Sequence, residues 1–153
     1  MHIEIDDLTR PAVHALLREH LDNMHALSPP ESVHALDLSH LRAPGITFWT
    51  AWEQDRLLGC AALKALDPLH GEIKSMCTPA SQRRQGAGRA LLEHILSVAR
   101  QRGYQRLSLE TGTPEAFIPA QRLYQSAGFT PCPPFPPYRE DPYSLYMTLA
   151  LSP

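Results

Sequence analysis

Arg83-Arg84-Gln85-Gly86-Ala87-Gly88-Arg89, running straight into Ala90-Leu91-Leu92, constrains this chain more than any other stretch. Behind its two glycines comes an apolar series at helical spacing: Leu91, Leu92, Ile95, Leu96, Val98 and Ala99. Those positions make one broad stripe, which suits a helix packed on a sheet. The first amides of a helix have no intrahelical acceptor and sit at the positive end of its dipole. Glycine lets a bulky anion approach that backbone closely. The segment therefore predicts a helix start that cradles phosphate.

The rest of the chain reads as alternating strands and helices. His2–Ile5 predicts a first strand. Thr9 is placed to cap a helix that opens on Pro11 and runs to about Asn23, with Val13, Leu16, Leu17 and Leu21 on one side. Ser28-Pro29-Pro30 stops it, and a weaker helix is expected over Ser32–Arg42. Ile46–Glu53 and Leu57–Leu66 read as a hairpin about Gln54-Asp55, and Asp67-Pro68 and Gly71 as bracketing a further turn. Glu72–Thr78 is a strand leading into the glycine loop. Gly103 ends the long helix, Arg106–Glu110 is a strand, and Pro119 opens a helix carrying Ala120, Leu123, Tyr124 and Ala127. A strand begins at Phe129, six prolines stiffen 131–142, and Tyr143–Leu149 closes the sheet. The 153 residues are expected to form a single domain, 1–153.

Composition removes several classes of function. A net charge of −2 offers no broad basic surface for nucleic acid. The three cysteines, Cys60, Cys77 and Cys132, have no metal spacing and suit a reducing cytoplasm. The eight histidines are scattered, so no metal is expected. The acidic N-terminus lacks a signal-peptide core, and no run approaches membrane-spanning length.

The phosphate ligand is narrowed by what the loop lacks. No Lys-Ser or Lys-Thr pair follows Gly88, as a Walker A loop requires. A dinucleotide fingerprint needs a third glycine where Leu91 stands, and belongs at the first strand–helix turn. Arg-x-x-Gly-x-Gly is instead followed, after a helix and a strand, by Ala120-x-x-Leu123-Tyr124-x-x-x-Gly128-Phe129. In this order of motifs the chain resembles the GNAT family of N-acetyltransferases over nearly its whole length. Glu72-Ile-Lys-Ser-Met, Leu107-Ser-Leu-Glu-Thr-Gly and Glu140-Asp-Pro are similar to a bacterial branch of small members. The resemblance implies an α/β (α+β) GNAT fold. Its mixed central sheet has about six to seven strands, splayed at strands 4 and 5 and flanked by about four helices. It also implies acetyl-CoA as acetyl donor, direct transfer to an amine, and a possible homodimer.

Residue roles follow from the same resemblance. Arg83, Arg84, Gln85, Gly86, Ala87, Gly88 and Arg89 match the pyrophosphate loop. Met76, Cys77 and Thr78 fall where a strand edge pairs with the pantetheine arm, and a backbone N–H near Met76 is placed to polarise the thioester carbonyl. Tyr124 matches the tyrosine that faces the sulfur of coenzyme A and protonates the leaving thiolate; the competing reading is a core tyrosine. An amine is protonated at neutral pH and must lose a proton before it attacks. Glu72, fourteen residues before Gly86, is the base that the resemblance implies, with Glu110 its rival. An acyl-cysteine on Cys77 is the lesser reading beside a small cleft-lining residue. Phe117 stands where many members carry a pantetheine-contacting asparagine, and a Thr111-Gly112-Thr113 turn is a substitute.

For the acceptor, His20, Met24, His34, Trp49, Tyr138, Arg139 and Glu140 are candidates, and the stiff loop favours a small-molecule amine. A non-catalytic acyl-CoA-binding module and a protein or peptide acetyltransferase are the alternatives.

Overall fold

The computed structural model describes residues 1–33, 37–83 and 86–151. Its strands are β1 (His2–Ile5), β2 (Ile46–Glu53), β3 (Arg56–Asp67), β4 (His70–Cys77), β5 (Arg106–Gly112), β6 (Thr130–Pro131) and β7 (Ser144–Ala150). The helices are α1 (Pro11–Leu27), α2 (Leu38–Leu41), α3 (Ala87–Gln101) and α4 (Ile118–Ser126). The strands form one sheet in the order β1-β2-β3-β4-β5-β7-β6. All its pairs are antiparallel except β4 with β5.

Strand alternation sorts the apolar residues onto two faces. Trp49, Ala61, Leu63, Ile73, Leu109 and Met147 pack beneath the stripe of α3, with Tyr124 of α4 in the same core. Phe48, Cys60 and Ala62 face the other way, under Val13, Leu16 and Leu17 of α1 and Leu41 of α2. Beyond β3 this second face turns polar, and the proline-rich segment 132–143 lies over it. Phe135 makes edge contacts with Tyr138 and Tyr146, and Tyr146 donates to the Arg139 carbonyl at 2.6 Å.

The parallel pair is short. His70–Ile73 pair with Arg106–Leu109, yet β4 runs on to Cys77 and β5 to Gly112. Beyond Ile73 the two strands keep only their outer partners, β3 and β7, and a gap opens between them. A bulge helps turn β4 away. Lys74 pairs with Ala62 and Cys77 with Cys60, so Ser75 and Met76 together oppose Ala61. Ser75 takes φ +53°, a left-handed conformation that costs a residue with a β-carbon about 1 kcal/mol or more.

Several local expectations change. Arg10, rather than Thr9, precedes α1, with no side-chain cap; the Thr9 hydroxyl bonds Asp7 instead. The helix expected over Ser32–Arg42 is a 3₁₀ turn at Pro30–Ser32 and a single turn, α2, whose start Asp37 caps by accepting the His40 amide. The turn expected between Asp67-Pro68 and Gly71 is present, but β4 already begins at His70 and takes in Gly71, where a side chain would strike Tyr104, Leu63 and Leu107. Thr111 and Gly112 likewise extend β5 instead of turning.

Among the described glycines, Gly112 has the least room for a side chain. A β-carbon built there meets the Phe117 ring at 2.3 Å. Gly112→Ala is expected to lower the urea unfolding free energy by about 1–3 kcal/mol through overpacking. Adding Phe117→Leu should recover part of that loss, and equal stability of Gly112→Ala and wild type would remove this constraint.

Candidate active site

A cleft of about 830 Å³ runs through the gap between β4 and β5. At one end lie Arg83, Gly86, Ala87, Gly88 and Arg89; in the middle Met76, Cys77, Thr78, Leu123 and Tyr124; at the other end Glu72, Lys74, Glu110, His20, Met24 and Tyr138. The sheet separation thus joins a cationic end to a carboxylate end.

The cationic end is a helix start left open. Gly86 precedes α3 with φ +82°, and no side chain caps the helix. The first turn of α3 holds no acidic residue, and a β-carbon at Gly86 would meet nothing within 4 Å. These are the features of an anion site: unpaired amides, a positive dipole end and free approach. Arg83 lines it, and Arg89 donates to the Ser126 hydroxyl at 3.1 Å while still reaching the cleft. Gly88 is tight against Leu123, 3.3 Å from the would-be β-carbon, which brings α3 close to α4. Arg84 and Gln85 lie outside the described residues.

In the middle, Tyr124 is buried at the wall of the cleft with its ring edge-on to Phe129. Its hydroxyl makes no hydrogen bond to a described residue. Burial, then the nearness of Cys77 and Glu110, pushes its phenol well above the usual value. Tyr124 therefore holds its proton at any working pH. Phe117, also on the cleft, packs on Gly112, and Gln121 of α4 donates to the Gly112 carbonyl at 2.8 Å.

The two carboxylates differ sharply. Glu72 is 1% exposed and fully engaged: the Tyr138 hydroxyl donates to it at 2.5 Å and the Lys74 ammonium at 3.2 Å. Lys74 also donates to the Tyr138 oxygen at 2.7 Å, so charge and hydrogen bonds close into one buried network. Glu110 stands one residue beyond the last parallel pair, where β5 leaves β4. It is partly open to the cleft, with Tyr146 opposite in register. Burial raises its carboxyl to about 7, against the lowering pull of the Ser144 hydroxyl and Lys74. A carboxylate so placed takes and gives a proton near neutrality.

Of the acceptor candidates, His20, Met24 and Tyr138 line the cleft. Burial lowers the His20 imidazole, which keeps it neutral. Trp49 is core, edge-on to His94, while Arg139 and Glu140 are not on the cleft wall; His34 lies outside the described residues. Sequence reasoning missed Lys74 and Glu19. The first is signalled by Glu72-x-Lys74, two charges on one face of a strand. Glu19 of α1 accepts the Ala80 amide at 3.0 Å and so anchors the segment before the glycine loop; a lone helix carboxylate gives no such signal. Ser32 donates to Asp141 at 2.6 Å, joining segments 109 positions apart beside the carboxylate end.

This arrangement has counterparts in known proteins. Residues 12–129 match the acetyltransferase (GNAT) family. The chain belongs to the GNAT family. It is 58% identical over 151 residues to the uncharacterized N-acetyltransferase YsnE of Bacillus subtilis (strain 168), covering 99% of this chain and 100% of that one. It is 50% identical over 149 residues to the uncharacterized N-acetyltransferase YedL of Escherichia coli (strain K12), covering 97% and 94%. Its fold is similar to that of a Bacillus subtilis acetyltransferase in complex with CoA, with a TM-score of 0.68 at 21% identity over 99% of each chain. Family membership makes the protein an acetyl-CoA-dependent N-acetyltransferase. No described helix is long and apolar enough to cross a membrane.

The raised Glu110 carboxyl has a consequence for stability. Between the ordinary value of 4.5 and about 7 the folded chain holds a proton there that the unfolded chain has lost. Its contribution is therefore present at low pH and fades as pH rises through that window. Glu110→Gln should flatten this part of the stability–pH curve, measured by urea unfolding on both sides of the window; an unchanged slope would contradict the assignment.

Proposed function

We propose that the protein transfers the acetyl group of acetyl-CoA directly to the amine of a small molecule, with Glu110 as base and Tyr124 as acid. The observation that carries this reading is the convergence of Glu110 and Tyr124 on the gap between β4 and β5, beside the open start of α3.

In this reading the diphosphate of the donor lies on the amides of Gly86, Ala87, Gly88 and Arg89, with Arg83, Arg84 and Gln85 alongside. The open approach at Gly86 supports that placement. The pantetheine arm follows the freed edge of β4 at Met76, Cys77 and Thr78, adding to the sheet as a strand would. The amine enters from the carboxylate end. Glu110 takes its proton, since a base with a value near 7 is matched to neutral pH. Nitrogen then attacks the carbonyl carbon, and a backbone N–H near Met76 stabilises charge on the oxygen. The carbon–sulfur bond breaks, and Tyr124 gives its proton to the departing sulfur. Glu72 stays fixed by Lys74 and Tyr138, shaping the pocket and tempering the charge around Glu110.

The reading needs no metal. It takes residues 1–153 as one domain at work in the cytoplasm, as a homodimer, and sedimentation of the purified protein checks the last point. The segment 132–143 over the carboxylate end supports a small acceptor over a protein tail.

Coenzyme A release should appear with some member of an amine library and fall by about 10²-fold or more in Tyr124→Phe and in Glu110→Gln. In wild type, kcat/KM should rise as pH passes about 7, where Glu110 ionises. Turnover unaffected by both substitutions would end the assignment of acid and base. Gly86→Asp should weaken coenzyme A binding at least about tenfold in calorimetry, by bulk and like charge at the dipole end. Because position 86 has positive φ, the variant's thermal unfolding is compared first; undiminished affinity in a folded variant would refute the phosphate site.

A further inference from the structure

Two thiols whose side chains the transfer above does not use face each other, Cys77 on the wall of the cleft and Cys60 behind it. Cys60 of β3 and Cys77 of β4 are direct partners in register, with sulfurs 3.4 Å apart. Opposed positions on antiparallel strands hold their β-carbons about 4.5–5.5 Å apart, and a disulfide asks for about 3.5–4.5 Å. The sulfurs need close only from 3.4 Å to about 2.05 Å. The bulge at Ser75 and Met76 adjoins Cys77 on β4.

The pair is asymmetric. Cys60 is wholly buried, and its Sγ also donates to the Ser75 carbonyl at 3.4 Å. Cys77 is half-buried and lines the cleft. A molecule in the cleft reaches Cys77 first, and reaches Cys60 only by way of Cys77. This is the layout of an attacking thiol with a resolving thiol behind it. It also puts the accessible sulfur on the stretch of β4 that the reading above pairs with the arm of coenzyme A.

We propose that Cys77 is a modification site for the disulfide form of coenzyme A, and that Cys60 resolves the adduct. The inference rests on the donor placement under Proposed function. The Cys77 thiolate attacks one sulfur of the ligand disulfide. A Cys77–coenzyme A bond forms, the ligand's sulfur–sulfur bond breaks, and the first coenzyme A leaves as a thiolate that takes a proton from water. Cys60 then attacks the Cys77 sulfur, and its proton passes to the coenzyme A thiolate that leaves. The Cys60–Cys77 bond forms and the second coenzyme A departs. Two protein thiols are oxidised and one coenzyme A disulfide is reduced to two thiols. The oxidant is the ligand itself.

The test is intact-protein and peptide mass spectrometry after incubation with coenzyme A disulfide, without reductant. Wild type should lose two hydrogens, gain a Cys60–Cys77 link and release two coenzyme A thiols per chain. Cys60→Ala should instead hold one coenzyme A on Cys77, losing acetyl transfer until dithiothreitol restores it. Cys77→Ala should show neither product. Cys132, at the far side of the sheet, is the internal control. Cys60→Ser is the second variant should alanine unfold this buried position, and thermal unfolding checks each. A Cys77 that stays reduced, or that reacts no faster than Cys132, would overturn the proposal. Calorimetry with coenzyme A separates the two failures: binding without modification sinks this inference alone, whereas absence of binding removes the donor site and the inference with it.

Discussion

The parting of β4 from β5 after Ile73 and Leu109 is the constraint on which the site depends. A parallel pair that continued to Cys77 and Gly112 would satisfy more backbone groups and leave no cleft. Two features hold the strands apart. Ser75 accepts a left-handed conformation at the bulge by which β4 stays paired with β3, and β5 is held by β7 through its full length to Ser144. The backbone groups so released are costly to leave dry. They become available to a ligand that offers amides of its own, so the penalty of the gap and the capacity to bind share one origin.

Burial then divides the work between two carboxylates on the same face. Glu72 lies under Tyr138 with a cation and a hydroxyl to satisfy it, and is structurally committed. Glu110, one position past the last pair, has desolvation without full compensation, and its proton is held to about 7. A small difference in position along neighbouring strands thus separates a fixed charge from a titrating one.

Much of this was legible in the sequence where local physics dominates. The α3 stripe, its glycine start and the hairpin at Gln54-Asp55 follow from short-range spacing, and all appear in the fold. Tyr124 was placed by its setting ahead of Gly128 and Phe129, and it lines the cleft. What escaped depends on contacts distant in sequence. Gly71 looks like the far edge of a turn until Tyr104 and Leu107 are seen to fill its side-chain space within β4. Trp49 looks like an aromatic wall until the side of β2 that meets α3 is known. The unequal standing of Glu72 and Glu110 arises from Tyr138, whose partner is 66 positions away. No periodicity reports such a pairing.

The Ser32–Asp141 hydrogen bond has a further meaning. The glycine loop and the Tyr124 helix both fall inside the stretch shared with the family, residues 12–129, whereas Tyr138 and Asp141 come after it. In the proposed reading, the doorway for the acceptor is hung between an early turn and a late, proline-stiffened strap. On that reading, changing which amine is admitted requires matched alteration of both jambs, while the grip on the donor is left alone.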